Sequence, residues 1–232
     1  MNMMKKTIHL QSGLLKNPSA FISHIRSLGC RCALITDEIV ASLYGESLCQ
    51  ILRGAGVTTD LFSFPTGEIF KTRETKQQLE DQLLQKGYGR DSCILALGGG
   101  VVTDLAGYLA ATYCRGVPVI MVPTTLLAMV DASLGGKNGV NVSQGKNLIG
   151  TFYQPQSIWI DPDILATLPL CELKNGIVEM IKHGLISDTP YFAFMETQAE
   201  KILSLDPDTI KKAIKGSCEI KMAIVEEDER EA

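Results

Sequence analysis

Short apolar, β-branched runs alternate along this chain with segments patterned for helices, and that alternation limits the folds open to it more than any other feature. Cys32 to Thr36, Ser92 to Leu97 and Val117 to Val122 read as strands, with a shorter strand-like run from Ile8 to Leu10. Helix patterns lie between them, near Ile39 to Gly54, Thr72 to Lys86 and Val101 to Ala111, the second punctuated by Gly87 and Gly89. Strands spaced by helices fold as βαβ units around a parallel sheet, so the spacing predicts an α/β fold with an open, Rossmann-like doubly wound sheet. From about Leu165 the pattern changes. Leu173 to Ile186, Tyr191 to Leu203 and Pro207 to Val225 read as helices, with Asp206 as N-cap and Pro207 at the first helical position of the last, and no further strand signal follows. We expect residues 1–165 to form the α/β domain and residues 166–232 to begin an all-helical one.

Composition removes several classes of function. The 22 basic and 26 acidic residues give a net charge of -4 with the signs interspersed, whereas nucleic-acid backbones demand a positive field, so no nucleic-acid partner is expected. The most apolar stretch, Val117 to Leu134, is broken by Pro118, Pro123 and Asp131, which leaves too short an apolar run for a membrane span. The N-terminal segment carries no apolar signal core. The seven cysteines (Cys30, Cys32, Cys49, Cys93, Cys114, Cys171 and Cys218) form no pair of CxxC motifs, so reduced thiols in a cytoplasmic protein are expected rather than a disulfide frame or a zinc knot.

Gly98-Gly99-Gly100 follows a strand and opens a helix, where bare backbone amides can approach a pyrophosphate. A glycine turn in this position is common in α/β proteins and is weak on its own. Asp37, ending an earlier strand, can bind ribose hydroxyls, and Asp104 either does the same or complements the helix dipole. Thr124 and Thr125, after Pro123, can cap a helix or hold a ligand at the carboxyl edge of the sheet. Lys137 and Lys146 lie in glycine-rich, non-helical surroundings near Asp131, which points to an anionic small molecule. Glu179, Lys182 and His183 share one helix face; a carboxylate and an imidazole one turn apart can bind a divalent metal, but on spacing alone a solvated polar face is the favoured reading.

Taken together, these runs resemble 3-dehydroquinate synthases. Gly67-Glu68-x-x-Lys71, Gly98-Gly99-Gly100-Val101-Val102-x-Asp104, Arg115-Gly116-x-Pro118, Pro123-Thr124-Thr125, Gly136-Lys137-x-Gly139-x-Asn141, Gly145-Lys146-Asn147, Gln154-Pro155, Thr167-Leu168-Pro169 and Glu179-x-Ile181-Lys182 occur in that family's order, and the resemblance runs from about Asp37 to Glu231. It implies an NAD-binding first domain and a helical metal- and substrate-binding second one. By the same resemblance Asp37, Glu68, Lys71, Gly99, Gly100, Val101, Asp104, Thr124, Thr125, Leu127, Lys146, Asn147, Thr167, Leu168 and Glu172 contact NAD. Arg115, Asp131, Lys137, Asn147, Lys182 and Lys221 bind a sugar-phosphate substrate, with Asp131, Lys137 and Lys182 catalytic, and Glu179 is a ligand of zinc or cobalt.

The family's reaction turns 3-deoxy-D-arabino-heptulosonate 7-phosphate into 3-dehydroquinate and phosphate, within aromatic amino acid biosynthesis. It proceeds by transient oxidation, phosphate loss, re-reduction and aldol closure, usually in a homodimer. Two further metal ligands of the family are histidines of a Gly-His-x-x-Gly-His-Ala motif, and the sequence stops at Ala232 ahead of it, after an acidic run that suits the end of a helix poorly. A truncated chain, inactive by itself, is therefore expected. Two alternatives stay open: a cyclase or polyol dehydrogenase with another substrate, and a nucleotide-binding module without catalysis.

Overall fold

The computed structural model describes residues 7–28 and 31–228; the first six residues, Cys30 and the acidic end from residue 229 lie outside them. In chain order the elements are β1 (Thr7–Leu10), α1 (Ser19–Ser27), β2 (Arg31–Asp37), α2 (Glu38–Val40), α3 (Glu46–Gly54), β3 (Thr59–Phe64), α4 (Arg73–Gln85), β4 (Ser92–Gly98), α5 (Gly100–Thr112), β5 (Val119–Pro123), β6 (Lys137–Val142), β7 (Gly145–Phe152), β8 (Ser157–Ile160), α6 (Leu170–Ser187), α7 (Thr189–Thr197), α8 (Ala199–Leu203) and α9 (Pro207–Glu227).

Six strands form one sheet in the order β1-β8-β5-β4-β2-β3, every neighbouring pair parallel. The central strands are covered on both faces, as parallel sheets must be, and every residue of β4 is buried. Successive side chains alternate faces. Ala33, Ile35, Ile94, Ala96, Val119, Met121 and Ile158 join a cluster with Leu105 and Leu109 of α5, and this cluster continues into Leu173 and Met180 of α6 and Ile210, Ala213 and Ile214 of α9. Cys32, Leu34, Cys93, Leu95, Leu97, Ile120, Val122 and Trp159 pack on the other face against Phe21 and Ile25 of α1 and Leu48 and Leu52 of α3. Each such buried large side chain stabilises the fold by about 1.5–3 kcal/mol. The doubly wound sheet and the helical C-terminal part thus stand as the sequence pattern indicates.

After β3 the chain crosses back over β2 to lay down β4, so the winding direction reverses between β2 and β4. In open α/β sheets the crevice outside the strand C-termini at such a reversal is where ligands bind.

Several elements escape the alternation. Tyr191 to Leu203 is two helices with Gln198 between them, and the start of the first is set by the Asp188 side chain, which accepts from the Tyr191 amide at 2.8 Å. The helix expected over Ile39 to Gly54 runs unbroken from Glu38 to Gly54 but widens through a π turn, Ala41–Gly45, that seats Gly45 against Leu61 of β3. The short strands β3 and β8 carry no helix-free apolar run long enough to stand out. The glycine-rich stretch after Leu134 is a β-hairpin, β6–β7, that pairs Lys137 with Phe152, Asn138 with Thr151, Gly139 with Gly150 and Val140 with Ile149. A Cβ on Gly150 would stand 1.9 Å from the Asn138 carbonyl oxygen and one on Gly139 2.7 Å from that of Ile149, so these glycines make close strand pairing possible rather than a turn. The hairpin lies on α5 through Asn138, whose Oδ1 would be 1.8 Å from any Cβ at Gly107.

Candidate active site at the carboxyl edge of the sheet

Most of the residues singled out from the sequence follow strand C-termini and meet at one edge. Asp37 ends β2, Glu68 and Lys71 follow β3, Gly99 to Asp104 follow β4, Thr124 to Leu127 follow β5, and Thr167 to Glu172 follow β8. Gly99 begins α5 with no side-chain cap among the described residues, which leaves the first amides of a 13-residue helix open to an anion. Cβ atoms are excluded there: one on Gly99 would approach Thr125 Cγ2 at 2.9 Å, and one on Gly98 would stand 2.4 Å from Val102. Bare amides at a helix start, walled by the Thr125 methyl, fit the pyrophosphate of a dinucleotide.

The threonines and Asp37 show the capping alternative at work. Thr125 Oγ1 accepts from the Ala128 amide at 3.2 Å, and Asp37 Oδ1 accepts from the amides of Ile39 and Val40 at 3.0 Å and from Thr66 Oγ1 at 2.9 Å. Thr167 Oγ1 meets the Tyr44 hydroxyl at 2.6 Å, and Glu172 accepts from Asn175 at 3.1 Å.

One polar bridge ties the hairpin to the glycine turn. The buried Lys71 ammonium donates to Asp104 and, at 2.6 Å, to Asn147 Oδ1. Asn147 has φ 58, a left-handed conformation that asparagine tolerates, and its amide donates to Asn141 Oδ1 at 3.0 Å. The β-bulge between Val140 and Val142 turns Asn141 toward this bridge, and Asn141 in turn donates to Glu68 at 2.9 Å. Lys146 is 3.8 Å from the same Glu68 oxygen. Burial pushes the Asp104 carboxyl up to about 6, against the opposing pull of Lys71.

Beside the bridge is a cavity of about 460 Å³ whose lining includes Asp104, Asp131, Lys137, Asn147, Lys182 and Lys221. Lys221 of α9 pairs with Asp131 at 2.9 Å, and Lys182 of α6 donates to Glu179 at 2.8 Å. Arg115 does not join them: it is exposed in a turn after the far end of α5, with φ 70. Asn138 and Thr151 line the cavity without having been marked by sequence, and Thr151 Oγ1 is buried with no hydrogen-bond partner among the described residues. Their signal was the hairpin register, which places them opposite each other.

Glu179, Asp131 and His183 bring ligand atoms within 4.8 Å of one another. Burial holds the His183 imidazole below its ordinary pKa, against the opposing influence of Glu179. Carboxylate and imidazole groups are donor types that suit zinc or cobalt.

This is the arrangement of a doubly wound α/β protein whose candidate residues gather at the switch point of the sheet, beside a cavity lined by Lys137, Lys182 and Lys221 together with Asp104 and Asp131. Comparison with known proteins makes the class specific. Residues 61–175 match the profile described as 3-dehydroquinate synthase N-terminal, and residues 176–232 match 3-dehydroquinate synthase C-terminal. The chain belongs to the 3-dehydroquinate synthase family. A 3-dehydroquinate synthase of Desulforamulus reducens is 46% identical over 97% of this chain, which spans 62% of that relative's length. Among solved structures, a 2-epi-5-epi-valiolone synthase from Streptomyces hygroscopicus with NAD+ and Zn2+ bound is 31% identical with a TM-score of 0.89, over 98% of this chain and 63% of that one. A 2-deoxy-scyllo-inosose synthase complexed with carbaglucose-6-phosphate, NAD+ and Co2+ is 28% identical with a TM-score of 0.85, over 94% of this chain and 59% of that one.

Proposed function

We propose that this chain carries the NAD site and much of the substrate site of a 3-dehydroquinate synthase acting on 3-deoxy-D-arabino-heptulosonate 7-phosphate. The observation that carries this reading is the convergence of Lys137, Lys182 and Lys221 with Asp131 on one cavity beside the uncapped start of α5. The substrate bears a phosphate and a carboxylate, and several ammonium groups around one cavity match two anionic centres better than one. In this reading residues 1–165 are the NAD-binding domain and residues 166–232 the first part of the helical metal and substrate domain.

The amides opening α5 take the pyrophosphate, Asp37 and Asp104 face the nucleotide's hydroxyls, and the Lys71 bridge holds the hairpin against the cofactor side. Lys137, Lys182 and Lys221 fix the substrate's anions, and Asp131, oriented by Lys221 at 2.9 Å, holds a substrate hydroxyl and its proton. NAD, when bound, accepts and returns a hydride, and a divalent cation at Glu179 polarises the substrate's oxygen atoms. The whole enzyme is read as a cytoplasmic homodimer.

The test has two arms. Calorimetry with NAD on this chain should show one site; no heat at millimolar NAD with the protein folded would sink the cofactor assignment. Phosphate release is then measured with NAD and zinc on a chain spanning the full length of the relatives, with a hexose 6-phosphate in parallel. Release from the heptulosonate phosphate and not from the hexose phosphate is expected, and the opposite preference would move the assignment to another sugar-phosphate cyclase.

A further inference from the structure

Asn141 stands where the β6–β7 hairpin loses its register. Between the pairs Val140–Ile149 and Val142–Gly145 this one residue faces three, Lys146, Asn147 and Leu148. Such a surplus takes backbone groups out of the ladder, and Asn147 absorbs it in a left-handed conformation, φ 58. Asn141 supplies the missing partner: its Oδ1 accepts from the Asn147 amide at 3.0 Å. Its Nδ2 donates to Glu68 Oε1 at 2.9 Å, and its own backbone amide donates to the Lys71 carbonyl at 2.8 Å. An amide N–H on one side and a carboxylate on the other leave the side chain a single orientation, oxygen toward Asn147 and nitrogen toward Glu68. Aspartate has no proton to give Glu68, and alanine reaches neither neighbour.

We infer that Asn141 is a positioning residue for the nicotinamide half of NAD, acting through Glu68, Lys71 and Asn147. The inference rests on the reading that NAD lies along the carboxyl edge of the sheet with its pyrophosphate on the first amides of α5. Hydride passes only between groups in contact, so the nicotinamide end borders the substrate cavity, and the adenosine end extends the other way, toward Asp37. Asp104 and Asn147 line that cavity, and the Lys71 ammonium donates to both, at 2.6 Å to Asn147 Oδ1. Glu68 and Lys71 belong to the turn after β3 and Asn147 to β7, and Asn141 bonds to all three. Asn141 is not one of the cavity's lining residues, so its effect on the reacting groups passes through these neighbours. Removing its side chain releases the Asn147 backbone and the Glu68 carboxylate, and with Asn147 goes the acceptor that steers Lys71. Lys146, 3.8 Å from the same Glu68 oxygen, is exposed and holds nothing on the Asn147 side.

The probes are NAD and ADP-ribose, which lacks the nicotinamide, each titrated into this chain by calorimetry. The wild type should bind NAD about tenfold more tightly than ADP-ribose. Asn141→Ala should abolish that preference by weakening NAD about tenfold, with the affinity for ADP-ribose kept within about twofold. Asn141→Asp, equal in size, keeps the acceptor for Asn147 but sets a second carboxylate against Glu68, and should lose the preference as well; it carries the test if the alanine variant does not fold. NAD affinity unchanged in the variants overturns the inference. Equal weakening of NAD and ADP-ribose also overturns it, being the mark of a general loosening of the hairpin. A wild type that binds ADP-ribose as tightly as NAD overturns the inference and leaves the cofactor site standing, whereas one that binds neither overturns the cofactor site itself.

Discussion

Gly99 owes its place to what its missing side chain leaves open. A Cβ there meets the Thr125 methyl at 2.9 Å and intrudes on the amides that open α5. Gly99→Val should weaken NAD binding at least tenfold by calorimetry while circular dichroism stays unchanged. Asp104 supplies a second test, through pH. Its carboxyl titrates near 6 in the folded protein against 3.8 for the free group, so the folded state holds its proton more tightly than the unfolded state. The contribution to stability is therefore greatest below pH 4 and is lost as pH climbs from about 4 to about 6, at up to roughly 1.4 kcal/mol per pH unit. Urea denaturation across that window should show the decline, and Asp104→Asn should flatten it. An unchanged slope in Asp104→Asn would assign the decline to other groups.

At the scale of elements the β6–β7 hairpin is the part most dependent on glycine. Gly150→Val places a methyl-bearing carbon against the Asn138 carbonyl and should cost about 2–4 kcal/mol, with faster proteolysis confined to residues 137–152. The same hairpin shows what the sequence does and does not disclose. The strands β2, β4 and β5 and helices α4 and α5 are legible because buried parallel strands are nearly continuous apolar runs, and their period differs from that of the helices between them. Glycine, however, signals a turn by local preference, and only the partner strand shows that Gly139 and Gly150 are paired. The site divides along the same line. Gly99, Thr125, Asp131, Lys182 and Glu179 are legible from local order and family resemblance. Asn138 and Thr151 reach their positions only through contacts with distant segments, and no local pattern marks them.

For the molecule as a whole, a ligand that binds only the folded state stabilises it by mass action. NAD at one hundred times its dissociation constant should add about 2.7 kcal/mol, a rise of roughly 5–10 °C in melting temperature for a chain of this size. Differential scanning fluorimetry with and without NAD measures it, and Gly99→Val should lose most of the rise. The edge strand β1 carries a different consequence. Thr7 pairs with Ser157 and Leu10 with Ile160, and Asp161 then receives the amides of Gly13 and Leu15 at 3.0 and 3.1 Å. Strand β1 thus finds its neighbour about 150 residues later, which at roughly 5–20 residues per second is on the order of 10–30 s of synthesis. Through that interval β1 is an unpaired β-segment leaving the ribosome, a natural binding target for chaperones. Its docking closes the sheet last, so amide exchange at Ile8 and Leu10 should be faster than anywhere in β4, and deleting β1 should speed unfolding while slowing refolding little.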